Sequence, residues 1–120
     1  LASKIRLYEI FQLSNNIFHF TVGNLSLGLA RLIEDLLILY SKASYSLLDE
    51  PFVELSPLYI ELFKEQFSYM RQYKGILIAD HSYRDIMDVS DEIQLMKEGT
   101  LLKINGKEHL VLHEYLSESE

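Results

Sequence analysis

Tyr45-Ser46-Leu47-Leu48-Asp49-Glu50-Pro51 is the stretch on which the fold turns. It is a short apolar run that breaks at two acids and a proline. Such a run reads as a buried strand whose polar residues emerge at its carboxyl end. The pattern recurs further on, where Ile76-Leu77-Ile78-Ala79 ends in Asp80-His81-Ser82. Between the two, Ser56 is placed to cap a helix that opens on Pro57. That helix is predicted to run from Pro57 to Tyr73, with Leu58, Leu62, Phe63 and Phe67 facing inward and Gly75 ending it. A strand, a crossover helix and a second strand make a βαβ unit with parallel strands. Ligands of such sheets bind beyond the carboxyl ends of the strands. The reading therefore places Asp49, Glu50 and His81 near one edge of the sheet.

Upstream, Leu29, Leu32, Ile33, Leu36, Leu37 and Tyr40 recur at helical spacing, with Ser26 as the N-cap. Arg31, Glu34 and Asp35 fall largely away from that stripe. A shorter helix is predicted over about 4–13, followed by irregular chain through Asn15, Asn16, Gly23 and Asn24. Downstream, a short helix to about Val89 is expected, then a β-hairpin. Its arms are Glu92–Met96 and Leu101–Ile104, and Glu98-Gly99 lies in the turn. The tail from Gly106 to Leu116 reads as a short helix. The fold class is α/β: helices packed on short parallel strands, with a C-terminal hairpin. The layout is a single domain over 1–120, divided into a helical segment 1–40, a βαβ and hairpin segment 45–104, and a tail 105–120.

Composition bounds the function. Eleven Lys and Arg stand against eighteen Asp and Glu, for a net charge of −7. No nucleic-acid partner is expected from that balance, since broad nucleic-acid binding needs a basic footprint. There are no cysteines, so disulfides, thiolate metal sites and cysteine nucleophiles are excluded. No apolar run approaches the ~18 residues of a membrane span.

The order of these pieces resembles the ATP-binding cassette ATPase family, a branch of the P-loop NTPases. Leu25-Ser26-Leu27-Gly28-Leu29-Ala30-Arg31 is similar to a degraded form of its Leu-Ser-Gly-Gly-Gln-x-Arg signature. Leu47-Leu48-Asp49-Glu50-Pro51 resembles the Walker B strand with the glutamate after it. Glu54-Leu55-Ser56-Pro57 stands in the place of the D-loop. Ile78-Ala79-Asp80-His81 resembles the strand that ends in the switch histidine, 31 residues on from Glu50. Asp91-Glu92-Ile93 and Met96-Lys97-Glu98-Gly99 resemble the hairpin that follows. The likeness spans roughly Lys4 to Ile104, and its specificity lies in the ordered set rather than in any one piece.

The resemblance implies roles. Asp49 would hold Mg2+ through water, and Mg2+ favours carboxylate and water oxygens. Glu50 would polarise the attacking water, and His81 would contact the γ-phosphate of ATP. Ser26 and Gly28, at a helix N-terminus, would reach the γ-phosphate bound to the opposite subunit of a dimer. The chain would then be the C-terminal portion of a transporter's ATP-binding subunit. It would work with a second cassette subunit and a transmembrane permease, in the cytoplasm, peripheral at the inner face of the cell membrane.

Three departures stand against the pattern. No Gly-x-x-x-x-Gly-Lys-Ser/Thr loop is present, so this chain without such a loop is expected to bind ATP poorly or not at all. Leu27 replaces a signature glycine and Leu29 a polar residue, which suits packing against a partner. Ser56 stands where the D-loop has aspartate. A non-hydrolytic relic that dimerises or docks through its helices is the alternative function. A phosphoacceptor receiver domain is a third reading, and it fails for want of further strands and helices after Asp80. Plainer readings compete elsewhere. His109 and His113 have a helical metal spacing but lack a clear third ligand. His19, between two phenylalanines, reads as a packed histidine. An incomplete sheet would expose an edge and an apolar face, so the isolated chain is expected to be marginal or to associate.

Overall fold

The computed structural model of the chain describes residues 26–113 and Tyr115. The expected helix over 4–13 and His19 lie outside the described residues. The chain forms two compact units, Leu1–Ser82 and Tyr83–Glu120.

In the first unit, helix α1 (Leu27–Leu39) leads to strand β1 (Tyr45–Asp49), helix α2 (Pro57–Met70) and strand β2 (Gly75–Ala79). The two strands pair in parallel, from Tyr45 with Gly75 to Asp49 with Ala79. This is the expected βαβ unit, with both carboxyl ends at one edge. Both helix starts follow their sequence signals. Ser26 Oγ accepts from Leu29 N–H at 3.3 Å, and Ser56 Oγ accepts from Tyr59 N–H at 3.3 Å. Helix α2 stops at Met70 rather than Tyr73. Its last residues close in tighter turns, with Tyr73 N–H donating to Met70 O at 2.9 Å.

The core of this unit joins Leu32, Leu36 and Leu39 of α1, Leu48 of β1, Phe52 and Leu55 of the following loop, and Phe63 and Phe67 of α2. Phe52 and Phe63 meet edge to face with ring centroids 5.8 Å apart. At the amino end of the sheet, Lys74 Nζ donates to Leu39 O, Ser41 O, Ser41 Oγ and Ser46 Oγ at 2.8–3.2 Å. Its ammonium closes the last turn of α1, where the helix dipole favours a cation.

Four sequence expectations are corrected here. The buried face of α1 runs Leu32, Asp35, Leu36, Leu39, so Asp35 is inside and Leu37 is 64% exposed. Each residue turns ~100° about the axis, and Leu37 lies one step past the face that α2 and β1 cover. Strand β1 is not buried throughout. Ser46 and Leu48 point inward, whereas Tyr45 and Leu47 are exposed. Strand β2 likewise leaves Leu77 exposed. Alternate side chains of a strand face opposite sides, and the described helices cover one side. Leu58 is also exposed, because it sits in the first turn of α2 ahead of the packed stretch.

The second unit holds helix α3 (Tyr83–Val89), strands β3 (Ile93–Lys97) and β4 (Thr100–Ile104), and helix α4 (Lys107–Leu112). The strands form an antiparallel hairpin in which Lys97 pairs with Thr100. Its two turn residues, Glu98 and Gly99, both have positive φ, at 51° and 74°. That is the geometry of a tight type I′ turn, and glycine supplies it without strain. Ile104 and Leu110 form a small core with Tyr83, Met87, Ile93, Leu95 and Val111 around it. The tail helix expected from sequence is α4.

Candidate functional site

The carboxyl ends of β1 and β2 bring together the residues singled out by sequence. Asp49 closes β1 on its exposed face. Glu50 follows, with its N–H donating to Ala79 O at 2.7 Å, so the ladder to β2 continues one residue past the strand. Glu50 then turns with φ 50°, in the left-handed region that non-glycine residues seldom enter. This turn carries its carboxylate to His81. His81 Nδ1 lies 3.5 Å from Glu50 Oε1 and 3.9 Å from Asp80 Oδ1. These separations exceed a formed hydrogen bond. Contacts of this kind commonly tighten when a substrate is bound. Both Glu50 and His81 are exposed to solvent and reachable by a ligand.

Asp80 holds the arrangement. Its side chain is fully buried. Oδ2 accepts from Phe52 N–H at 3.1 Å, and Oδ1 accepts from Ser82 N–H at 2.8 Å. One carboxylate thus ties the turn after β1 to the turn after β2. Sequence reading placed Asp80 in the motif without giving it this role. The available signal was the Asp-x-Ser spacing, since Asp side chains readily accept from the backbone N–H two residues on.

Arg31 is the second residue whose role went unread, having been assigned to the outer side of its helix. Its Nη2 donates to Asp49 O at 2.6 Å and reaches Glu50 O at 3.5 Å. On its other side, Nη1 lies 3.4 Å from Glu34 Oε2 and Nε 3.5 Å from Asp35 Oδ2. The Asp35 carboxyl is buried, and its Oδ2 accepts no hydrogen bond among the described residues. Burial pushes its pKa up to about 6, with the Arg31 charge working against the rise and Glu34 adding to it. Together these groups line a groove of about 800 Å3 that includes Leu27, Leu47, Asp49 and Glu50.

Ser26 and Gly28 stand at the start of α1. The Ser26 hydroxyl serves its own helix cap. Gly28 is packed against the loop that follows Glu50. A Cβ at this position would lie 2.8 Å from Glu54 O, so the close approach of two backbones requires glycine. Leu27, read as a packing position, is 68% exposed in the chain.

Asp49 presents an exposed carboxylate beside Glu50, which suits a cation held through water. Among the described residues no three His, Asp or Glu side chains gather as a metal cluster. His109 and His113 are one turn apart on and just after α4, and no third ligand joins them among the described residues. Among the described residues, no helix is long and apolar enough to cross a membrane. A scan against protein-family models finds none that matches the chain.

Proposed function

We propose that the chain is the C-terminal portion of an ATP-binding cassette ATPase with a partial P-loop NTPase fold. It would couple ATP binding and hydrolysis to transport when completed by a phosphate-binding loop. One observation carries the reading: Glu50 and His81, far apart in sequence, converge at the carboxyl ends of two parallel strands. Hydrolysis of a phosphoanhydride asks for such a pair, a carboxylate to polarise water and a donor to the phosphoryl oxygens. The Glu50 carboxylate would orient the water, His81 would donate from a ring nitrogen to the γ-phosphate, and Asp49 would hold Mg2+ through water. The Mg2+ ion, when bound, neutralises phosphate charge. A second cassette subunit and a permease are the partners this reading implies, at the cytoplasmic face of the membrane.

The test is Glu50→Gln in the intact parent protein. ATP binding is expected to persist while hydrolysis falls by roughly 10²–10⁴-fold, the contribution of a positioned general base. Equal rates in variant and parent would remove Glu50 from the mechanism.

A specific observation favours a second reading, a non-hydrolytic relic that dimerises or docks. Leu27, Leu47 and Leu77 are each at least 65% exposed. Exposed apolar side chains of this size suit a partner surface. Dimerisation that proceeds equally with and without ATP would favour it.

A further inference from the structure

We infer that Arg31 is the positioning residue of the Glu50–His81 pair: it grips the carbonyl before Glu50, reaches toward the carbonyl after it, and so holds the left-handed turn that aims the carboxylate at the imidazole. The inference rests on reading Glu50 and His81 as a functional pair, and it does not depend on which ligand they serve.

The backbone angles of Glu50 are rotations between two peptide planes, the one before it and the one after. The first plane is held at both ends. Its carbonyl, Asp49 O, accepts from Arg31 Nη2 at 2.6 Å, and its N–H donates to Ala79 O at 2.7 Å. In the second plane, Glu50 O accepts from Val53 N–H at 3.2 Å and lies 3.5 Å from the same Arg31 nitrogen. With both planes restrained, φ at Glu50 stays at 50° although a side chain disfavours it.

Arginine suits the task by shape. The guanidinium is engaged on every side: Nη2 faces the two carbonyls, Nη1 faces Glu34, and Nε lies 3.5 Å from the buried Asp35 carboxyl as an ion pair without a formed hydrogen bond. The two carboxylates, three and four residues on along α1, keep the fork turned toward the strand end. A lysine would bring one point of charge and no fork. The start of α1 is thereby linked to the reactive end of β1 through a single side chain.

The test uses the full chain, isotopically labelled, as parent, Arg31→Ala and Arg31→Lys. The one-bond Cα–Hα coupling and residual dipolar couplings of Glu50 report the sign of φ. In Arg31→Ala they are expected to leave the positive-φ range. The Glu50 amide should exchange roughly 10–100-fold faster, the loss of one charge-assisted hydrogen bond, while Phe63 and Phe67 amides keep their rates. Arg31→Lys should fall between. A folded Arg31→Ala chain with unchanged Glu50 couplings overturns the inference. If that variant does not fold, Arg31→Lys decides, since it keeps the charge and loses the fork; unchanged Glu50 couplings there overturn it equally. An intact parent without ATP hydrolysis would defeat the proposed function and leave this test standing. In an active parent, Arg31→Lys should lower kcat roughly 10–100-fold at unchanged KM for ATP, as misplacement of a reacting group does; an unchanged kcat would count against the clamp.

Discussion

Replacing Asp35 by asparagine should change how stability depends on pH. The Asp35 carboxyl is 1% exposed, and its pKa is raised from 3.8 to about 6 chiefly by burial. The folded chain therefore holds a proton on this group at pH values where the unfolded chain has lost it. The sign follows from linkage. Stability from this group is fully present below about pH 4 and is lost as pH rises through about 6. The rise from 3.8 to about 6 corresponds to about 3 kcal/mol between the two limits of pH. Asparagine is neutral throughout and carries no such dependence. Urea unfolding at pH 4, 5, 6 and 7.5 checks this, followed by circular dichroism or by tyrosine emission, since the chain has eight Tyr and no Trp. The difference in unfolding free energy between Asp35→Asn and parent should grow by about 2 kcal/mol in favour of asparagine from pH 4 to 7.5, the rest of the effect lying below pH 4. Other carboxylates titrate in both proteins and cancel in that difference. Parallel curves across the range would mean that the Asp35 carboxyl is not shifted, and that the Arg31 charge offsets its burial.

Two more substitutions probe the frame around the site. Gly28→Ala should destabilise by about 1–3 kcal/mol, because the new Cβ would meet Glu54 O at 2.8 Å and one backbone must give way; chemical denaturation measures it, and a neutral result would show that the loop after Glu50 shifts freely. Lys74→Met should cost about 1.5–3 kcal/mol by removing charge-assisted bonds from the end of α1. Hydrogen exchange should localise its loss to the residues around Leu39 and Ser46, and a uniform rise across the unit would count against a local clasp.

Glu50 and His81 were legible because strand ends carry their own mark, an apolar run breaking at polar residues. Two such runs joined by a Ser-Pro-capped helix imply parallel strands with aligned ends. The hairpin was legible through Glu98-Gly99, whose backbone needs are local. Arg31, Asp35 and Asp80 were not legible in the same way. Their partners lie on other elements or emerge only when α1 settles on one side of β1, and helical spacing does not say which polar residue the core will accept. An exposed apolar face was expected of an incomplete sheet, and Leu47 and Leu77 form one, but the side on which it would lie was not legible. An apolar strand can be recognised from composition, but which of its sides finds a cover depends on where the helices pack.

The left-handed turn at Glu50 has a meaning of its own. Glycine or asparagine would take that backbone with less strain, and a glutamate there costs the fold roughly 1–2 kcal/mol. A chain chosen for stability would discard the carboxylate at this point, and the folded state would be firmer without it. Glu54 and Glu98 take the same left-handed backbone, at φ 63° and 51°, so the strain is shared by three glutamates and it is the position of Glu50 beside His81 that distinguishes it.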